Sequence, residues 1–288
     1  MTLMINQVFP VKRPAPLEGL YLEERLMDRA ARIGRSLVLT DFLSDRKGVI
    51  AKATKDGRFE IPAALKNSSD WGRFQELMAQ ADLVISGGSY FKRLASSQDI
   101  LYQFEAGSAF EKLGQWRLKA EYKKRSPDVA IVTRNLDFEL PEKLVKSGRR
   151  IVIFTTNSMA NSDKAKALGN VNTIILGSGE RGVKGDRMIT TLANHMDYRV
   201  IMMVSGPHIL DLLLKAGRMD LIYVTEVQVK IPIEDNAAVQ TMLLGGHKVS
   251  ELKDFNLAHH FIQENVVTED ASLISQSFLR YDRKDLGN

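Results

Sequence analysis

The segment VIMMVSGPHILDLLLKAGRMDLIYVTEVQVKIP, residues 200–232, reads as strand, glycine turn, helix, second turn and strand. Arg199–Val204 is an apolar run of strand length, Pro207–Ala216 is predicted helical, and Leu221–Val229 is apolar again. Strand, helix and strand joined by short turns make a βαβ unit, whose crossover is right-handed and whose strands are parallel. The same alternation extends upstream. Strands are predicted at Val129–Thr133, Arg150–Thr155 and Asn172–Leu176. Helices are predicted at Pro141–Ser147, with proline at a tolerated first-turn position, at Asp163–Leu168, ended by Gly169, and at Asp186–Met196.

Earlier still, residues 19–33 read as a helix and Ser36–Leu43 as a strand. The polar run Ser44-Asp45-Arg46-Lys47-Gly48 reads as a tight loop before Val49-Ile50-Ala51. Residues 67–80 read as a helix with cap candidates from Asn67 to Asp70. Its stripe Trp71, Phe74, Leu77, Met78 and Ala81 is expected in the core. Asp82–Ser89 reads as a short buried strand ending in a glycine pair. Residues 99–124 read as a helical insertion interrupted near Gly107 and Gly114. The runs 257–267 and 273–279 read as a closing hairpin. Pro10, Pro14 and Pro16 suggest an extended N-terminal arm. The expected organisation is an arm and helix over residues 1–35, then one domain over 36–288 carrying an insertion at 98–125.

Composition narrows the chemistry. In 288 residues, 44% hydrophobic and 26% charged is ordinary for a chain that buries a core. Cys 0 excludes disulfides, zinc–thiolate sites, iron–sulfur clusters and cysteine nucleophiles. The five histidines, His195, His208, His247, His259 and His260, include no H-E-x-x-H spacing, so no metal site is expected. No apolar run reaches the roughly 18 residues a membrane helix needs. The N-terminus lacks a signal-peptide pattern, so a cytoplasmic protein is expected. The net charge of +5 is concentrated at 117–125, where Arg117, Lys119, Lys123, Lys124 and Arg125 stand against Glu121. That run reads as a solvated helix face or as a phosphate-steering surface. No nucleic-acid signature accompanies it, and no nucleic-acid partner is expected.

Glycines mark three strand ends, at Ser86-Gly87-Gly88-Ser89, Gly177-Ser178-Gly179 and Ser205-Gly206-Pro207. In an open α/β sheet ligands bind beyond such ends, where glycine admits a phosphate and the next helix presents free amides. Each also reads as ordinary turn chemistry. None is a G-x-G-x-x-G fingerprint or a P-loop.

At these residues the chain resembles the bacterial bifunctional deaminase-reductase C-terminal domain family, the pyrimidine reductases of riboflavin biosynthesis. Residues 200–228 carry the more specific likeness, with Gly206-Pro207 opening the helix and Ala216-Gly217-Arg218-Met219-Asp220 closing it. LTDFLSDRKGVIA (39–51) and FQELMAQADLVISGGSY (74–90) are similar to further family segments, and the likeness runs in order over residues 36–280. The resemblance implies a dihydrofolate-reductase-like three-layer α/β/α fold, with a mostly parallel sheet and antiparallel C-terminal strands. It implies NADPH and hydride transfer to a small pyrimidine- or pterin-like heterocycle. The alternative is a non-catalytic nucleotide-binding member. Carried over, the loop from Phe42 to Gly48 lies near the nicotinamide, with Asp45 the catalytic candidate. Gly87, Gly88, Ser89 and Tyr90 lie along the cofactor, and Ser205, Gly206, Pro207, His208, Ile209 and Leu210 hold its pyrophosphate. Gly177, Ser178, Gly179 and Arg181 reach the adenosine end. The family's substrate-binding Glu and Arg fall on Val204 and Met78, and its Thr on Tyr90. The resemblance also implies a homodimer, with the hairpin 257–279 the expected interface.

Overall fold

The computed structural model describes residues 3–55, 59–92, 100–231 and 240–286. They fall into two compact units. The first holds Met1–Glu24, Leu39–Glu76 and Asp220–Asn288, and the second Arg25–Val38 and Leu77–Met219.

Along the first half run β1 (Met4–Phe9), β2 (Arg13–Pro16), α1 (Leu26–Ile33), β3 (Leu37–Asp45), β4 (Val49–Ala53), β5 (Phe59–Glu60), α2 (Ser68–Gln80), β6 (Leu83–Gly87), α3 (Gly88–Phe91) and α4 (Glu111–Lys119). There follow β7 (Asp128–Val132), α5 (Glu142–Lys146), β8 (Ile151–Thr155), α6 (Asn157–Ala160), α7 (Asp163–Leu168), β9 (Thr173–Gly177) and α8 (Gly185–Thr190), which continues as a π-helical turn over Thr191–His195. The chain ends with β10 (Val200–Met203), α9 (Pro207–Lys215), β11 (Leu221–Val227), β12 (Gln240–Met242), β13 (Phe255–Val267) and β14 (Leu273–Arg283).

In the second unit the strands run β10-β6-β7-β8-β9, each pair parallel. The residues of β10 and β8 are all buried, as are Leu83–Ile85 of β6, because helices cover both faces of such a sheet. In the first unit the order is β2-β1-β13-β14-β11-β3, where only the β11–β3 pair is parallel. A small antiparallel sheet, β12-β4-β5, completes that unit. Parallel strands joined by helices, with antiparallel strands from the C-terminus, are the α/β class the sequence implied.

Four expectations are corrected. The proline-bearing N-terminal arm, expected only to run extended, forms strands: β1 and β2 make a hairpin, and β1 pairs with β13. The closing hairpin is therefore not an exposed edge, since β13 lies between β1 and β14, and β14 between β13 and β11. Helix 19–33 begins only at Leu26, because Arg25 takes a left-handed conformation (φ 45°) after a 3-10 turn at Leu22–Glu24. Trp71 is 38% exposed and stacks on Phe74 at 5.5 Å, so it is not in the core.

The reason lies on the other side of α2, whose buried positions include Asp70, Arg73, Gln75, Glu76 and Gln80. Two of these polar groups meet backbone donors. Glu76 accepts backbone N–H bonds from Gly19 (2.7 Å) and Tyr21 (2.9 Å) and pairs with Arg73. Gln80 accepts from the amide of Leu26 (3.0 Å), in place of an N-cap side chain. Burial of Glu76 and Gln80 is tolerated because backbone donors meet them, whereas both polar side-chain atoms of Gln75 are buried without a hydrogen-bond partner.

Of the insertion at 98–125, residues 98 and 99 lie outside the described residues. The rest is a 3-10 turn at Ile100–Tyr102 and the nine-residue α4. Gly114 does not interrupt that helix. It lies inside it because a Cβ there would collide with the carbonyl oxygen of Phe104. Nor is the basic run simply solvated. Arg117 is 2% exposed and donates to the carbonyls of Ala79 (2.7 Å), Ala81 (2.6 Å) and Lys124 (3.1 Å), with Tyr122 stacked against its guanidinium at 4.3 Å. Two of those carbonyls belong to the end of α2, where helical geometry leaves acceptors unmet. Replacing Arg117 with Ala strands three acceptors and leaves a cavity, so chemical denaturation of Arg117→Ala is expected to show a loss of about 2–4 kcal/mol.

Candidate functional site

The pairing of β10 with β6 sets Ile201 beside Leu83, Met202 beside Val84 and Met203 beside Ile85. Two glycine-bearing strand ends therefore finish side by side. Built on Gly87, a Cβ would lie 3.3 Å from the Ser205 hydroxyl. Built on Gly88, it would lie 2.7 Å from the Thr133 hydroxyl at the end of β7, so glycine is required there by close approach. Gly206 differs: a Cβ there meets nothing within 4 Å, and the residue is exposed. It caps α9 with an extended backbone (φ −75°, ψ −179°) and without a side-chain cap. Pro207 at the first position has no N–H to satisfy, and the His208 amide at the second has no intrahelical acceptor. Ile209 and Leu210 are buried and anchor the helix. The result is an open helix N-terminus beside the backbone of Gly87. Such an end carries partial positive charge and suits a phosphate. Ser89 is exposed next to it, and Tyr90 is half-buried edge-on to Phe91.

The Gly177–Arg181 loop ends at the same edge of the sheet, but three strands from β6, about 14 Å away at normal strand spacing. Two of its amides, those of Ser178 and Gly179, are already used. Asn157 accepts from Gly179 N (3.2 Å) and donates from its own amide to Gly179 O (2.9 Å), while Ser178 N donates to Thr155 O. A Cβ on Gly177 would press on Asn157, and one on Gly179 on the carbonyl of Gly182. These glycines let the loop close on itself. Arg181 is exposed and remains available to a ligand.

Phe42, Asp45 and Gly48 stand in the first unit. Asp45 is 1% exposed, and both carboxylate oxygens are engaged by backbone amides: Oδ1 by Lys47 (2.8 Å) and Val49 (2.8 Å), Oδ2 by Ile231 (2.8 Å). In this structure Asp45 holds the β3–β4 loop and ties it to residue 231. Gly48 has φ +84°, the left-handed conformation the turn requires. The loop borders a small cleft with Glu226, His247, Lys248 and Tyr281. Phe42 is a buried core residue.

A cleft of 570 Å³ in the second unit lies at the opposite end of the parallel strands. Its lining includes Asp82, Arg117, Lys124, Asp128, Arg150 and Arg199. The charges there already serve one another: Lys124 meets Asp128 at 2.7 Å and Arg199 meets Asp197 at 2.8 Å. The basic run thus braces strand starts, and the cleft is not at the ligand-binding end of the sheet.

Sequence reasoning missed a set of buried groups in the first unit. Asn67, not Asp70, caps α2, accepting from Asp70 N at 2.9 Å. The Asp70 carboxyl is thereby free for another purpose. Burial pushes it up to about 6, while the Thr225 hydroxyl and Arg73 guanidinium draw it part of the way back down. Asp41 on β3 is raised well above the usual carboxylate range, by burial and then by the charge of Asp70. Its Oδ1 is buried without a hydrogen-bond partner. Tyr223 is directly opposite Asp41 in the β11–β3 register, and Tyr21 packs edge-on against Tyr223 at 5.0 Å. Two adjacent carboxyls with raised pKa values form a proton-holding site. The available signal was Asp41 itself, a charge inside the otherwise apolar strand run LVLTDFL.

Comparison with solved structures gives the fold a class. The chain superposes on the RibD protein of Acinetobacter baumannii with a TM-score of 0.57 at 13% identity, over 89% of this chain and 60% of that one. A pyrimidine reductase-like protein of Corynebacterium diphtheriae gives 0.56 at 13% identity, over 86% and 92%. The riboflavin biosynthesis reductase Rib7 of Saccharomyces cerevisiae gives 0.52 at 11% identity, over 91% and 99%. The chain thus has the fold of the riboflavin-biosynthesis pyrimidine reductases, and spans about three fifths of the length of the RibD protein. No protein-family model and no curated protein sequence matches it. Among the described residues no helix is long and apolar enough to cross a membrane.

Asp70 yields a stability prediction. Its folded pKa of about 6 lies above the usual value of 3.8, so the folded state holds a proton that the unfolded state has lost between those values. Stability is expected to be greatest below about pH 4 as far as this group is concerned, and to fall as pH rises through 6. The Asp70→Asn variant removes that slope. Urea titrations are expected to show it more stable than the parent above pH 6, by about 1–3 kcal/mol, and similar to it near pH 4.

Proposed function

We propose that the chain is a nicotinamide-dependent reductase that transfers a hydride to a small pyrimidine- or pterin-like heterocycle, with NADPH as the donor. The observation that carries this reading is the open N-terminus of α9 beside Gly87, on a chain with the fold of the pyrimidine reductases. The pyrophosphate would rest on the amides at Gly206 and His208, with Gly87 leaving room for it. Ser89 and Tyr90 would flank the cofactor, and Arg181 would meet its adenosine end. Bound NADPH supplies the hydride, which needs no cysteine or metal from the protein.

Hydride addition to a C=N or C=O carbon leaves the nitrogen or oxygen in need of a proton. The Asp41–Asp70 pair can hold one near neutral pH, which an ordinary surface carboxylate cannot. Asp45, saturated by backbone amides, would position the β3–β4 loop. Val204 and Met78 stand where the resembling family has the Glu and Arg it uses on its substrate, and Met78 is 1% exposed in the core. Those two positions favour a substrate other than the phosphoribosyl intermediate of riboflavin synthesis. They also keep alive a second reading, a nucleotide-binding member without turnover.

Two measurements test this. NADPH is expected to quench the protein's fluorescence with a micromolar Kd, and Gly206→Val to weaken it at least tenfold while leaving the fold intact, because the added side chain points into open space. Absence of binding at millimolar NADPH contradicts the reading. With a panel of pyrimidine and pterin acceptors, turnover is expected to fall as pH rises through about 6. NADPH binding without turnover on any acceptor favours the second reading.

A further inference from the structure

The 570 Å³ cleft at the starts of the parallel strands lies within the second unit, at the end of the sheet away from the open N-terminus of α9. Its volume suits a whole organic molecule rather than a lone ion. Most of the charges that line it are spent. Lys124 pairs with Asp128 and Arg199 with Asp197, Arg117 lies on carbonyl oxygens, and two backbone amides meet the Asp82 carboxylate. Three others are not. Among the described residues no carboxylate pairs with Lys123 or Arg150, and no cation pairs with Glu121. The Arg150 guanidinium meets the Tyr198 hydroxyl, a neutral partner that itself donates to Asp128 (3.0 Å).

Glu121 is the residue that the local backbone favours least. α4 ends in two C-terminal hydrogen bonds, from Glu121 N to Leu118 O (3.3 Å) and from Tyr122 N to Arg117 O (3.0 Å). That motif puts residue 121 in the left-handed conformation (φ 65°), where glycine is usual because a side chain is strained. A carboxylate is also the wrong charge for a helix C-terminus, which carries partial negative charge. Asp197 borders the same cleft at φ 61°, just after the π-helical turn. Acids held at positive φ beside two helix ends make a rim suited to hydrogen-bond donors.

We propose that this cleft is a second ligand site and that its ligand is a sugar phosphate. Lys123 and Arg150 take the phosphate, whose charge near −2 matches two unspent cations and whose oxygens suit a guanidinium fork. The sugar hydroxyls donate to Glu121. Met27 and Met196, half-buried and adaptable, supply an apolar wall for the carbon skeleton. A nucleotide fits less well, because the aromatic faces are taken. Tyr122 packs on the Arg117 guanidinium at 4.3 Å and near the Trp116 ring at 6.1 Å, and Tyr198 is 6% exposed. No open ring is left for a base to stack on among the described lining residues.

The test is NMR titration of the full chain with ribose 5-phosphate and glucose 6-phosphate, with glucose and inorganic phosphate in parallel. At least one of the two sugar phosphates is expected to bind saturably below millimolar concentration, shifting the amides of Lys123, Arg150 and Tyr198 and leaving Gly206 and His208 unmoved. Inorganic phosphate is expected to bind at least tenfold more weakly, and glucose not at all. The double variant Lys123→Ala/Arg150→Ala, altered only at exposed side chains, is expected to lose at least tenfold in affinity with an unchanged far-UV circular dichroism spectrum. Glu121→Gly is expected to weaken binding several-fold while raising the midpoint of thermal unfolding, since glycine relieves the strained turn. A merely structural Glu121 would not move the two in opposite directions. Absence of binding by both sugar phosphates at millimolar concentration overturns the proposal. So does affinity that persists undiminished in the double variant, or shifts that fall on Gly206 and His208 instead.

Discussion

The parallel pairing of β6 with β10 is the constraint on which the candidate cofactor site depends. Asp82 fixes it at the strand starts. Its amide donates to Val200 O (2.8 Å), and its carboxylate accepts from the amides of Arg199 (2.8 Å) and Val200 (3.0 Å). Burial raises the pKa of this carboxyl, and the two amides hold it down. With the starts pinned, three residues of matched register deliver Gly87 and Ser205 side by side at the other end. A slip of one residue would turn every buried side chain of β10 to the wrong face. The braces provided by Arg117 lie at the pinned end, and the open N-terminus of α9 lies at the free end. The stabilising contacts and the candidate cofactor site thereby lie at opposite ends of the same strands.

The first unit contributes acid groups where a simple apolar core would be more stable. Removing Asp41 and Asp70 from water is costly, and the raised pKa values record that cost. A fold that needed only to persist would gain from apolar side chains at these positions. Glu76, by contrast, is buried with backbone donors on both oxygens and serves to seat residues 19–21.

Much of the architecture was legible because apolar runs and glycine turns report parallel strands directly. β7, β8, β9, β10, α9 and β11 stand within a residue or two of their expected places. The glycine-bearing ends of β6 and β10 lie side by side, with a Cβ on Gly87 3.3 Å from the Ser205 hydroxyl. What periodicity could not show was partnership. Three prolines mark the arm as extended without showing a partner, and its pairing with β13 depends on a strand more than two hundred residues away. The stripe through Trp71 was apolar, yet the buried face of α2 is largely polar, since its partners are backbone amides invisible to a hydropathy pattern. Asp45 resembled a free acid in a charged loop, and only the structure shows three amides on it. Asp70 looked like a cap because it follows Asn67 and two serines, and the cap proved to be Asn67.

The central claim is that a dinucleotide pyrophosphate sits on the α9 N-terminus beside Gly87. Amide chemical shifts followed by NMR during an NADPH titration test it most directly. The account predicts that the largest changes fall on Gly87, Gly88, Ser205, Gly206 and His208, with small changes at Gly179 and none at Lys123 in the opposite cleft. Saturable changes confined to the cleft around Lys123 and Arg150, with Gly206 and His208 unmoved, would contradict it.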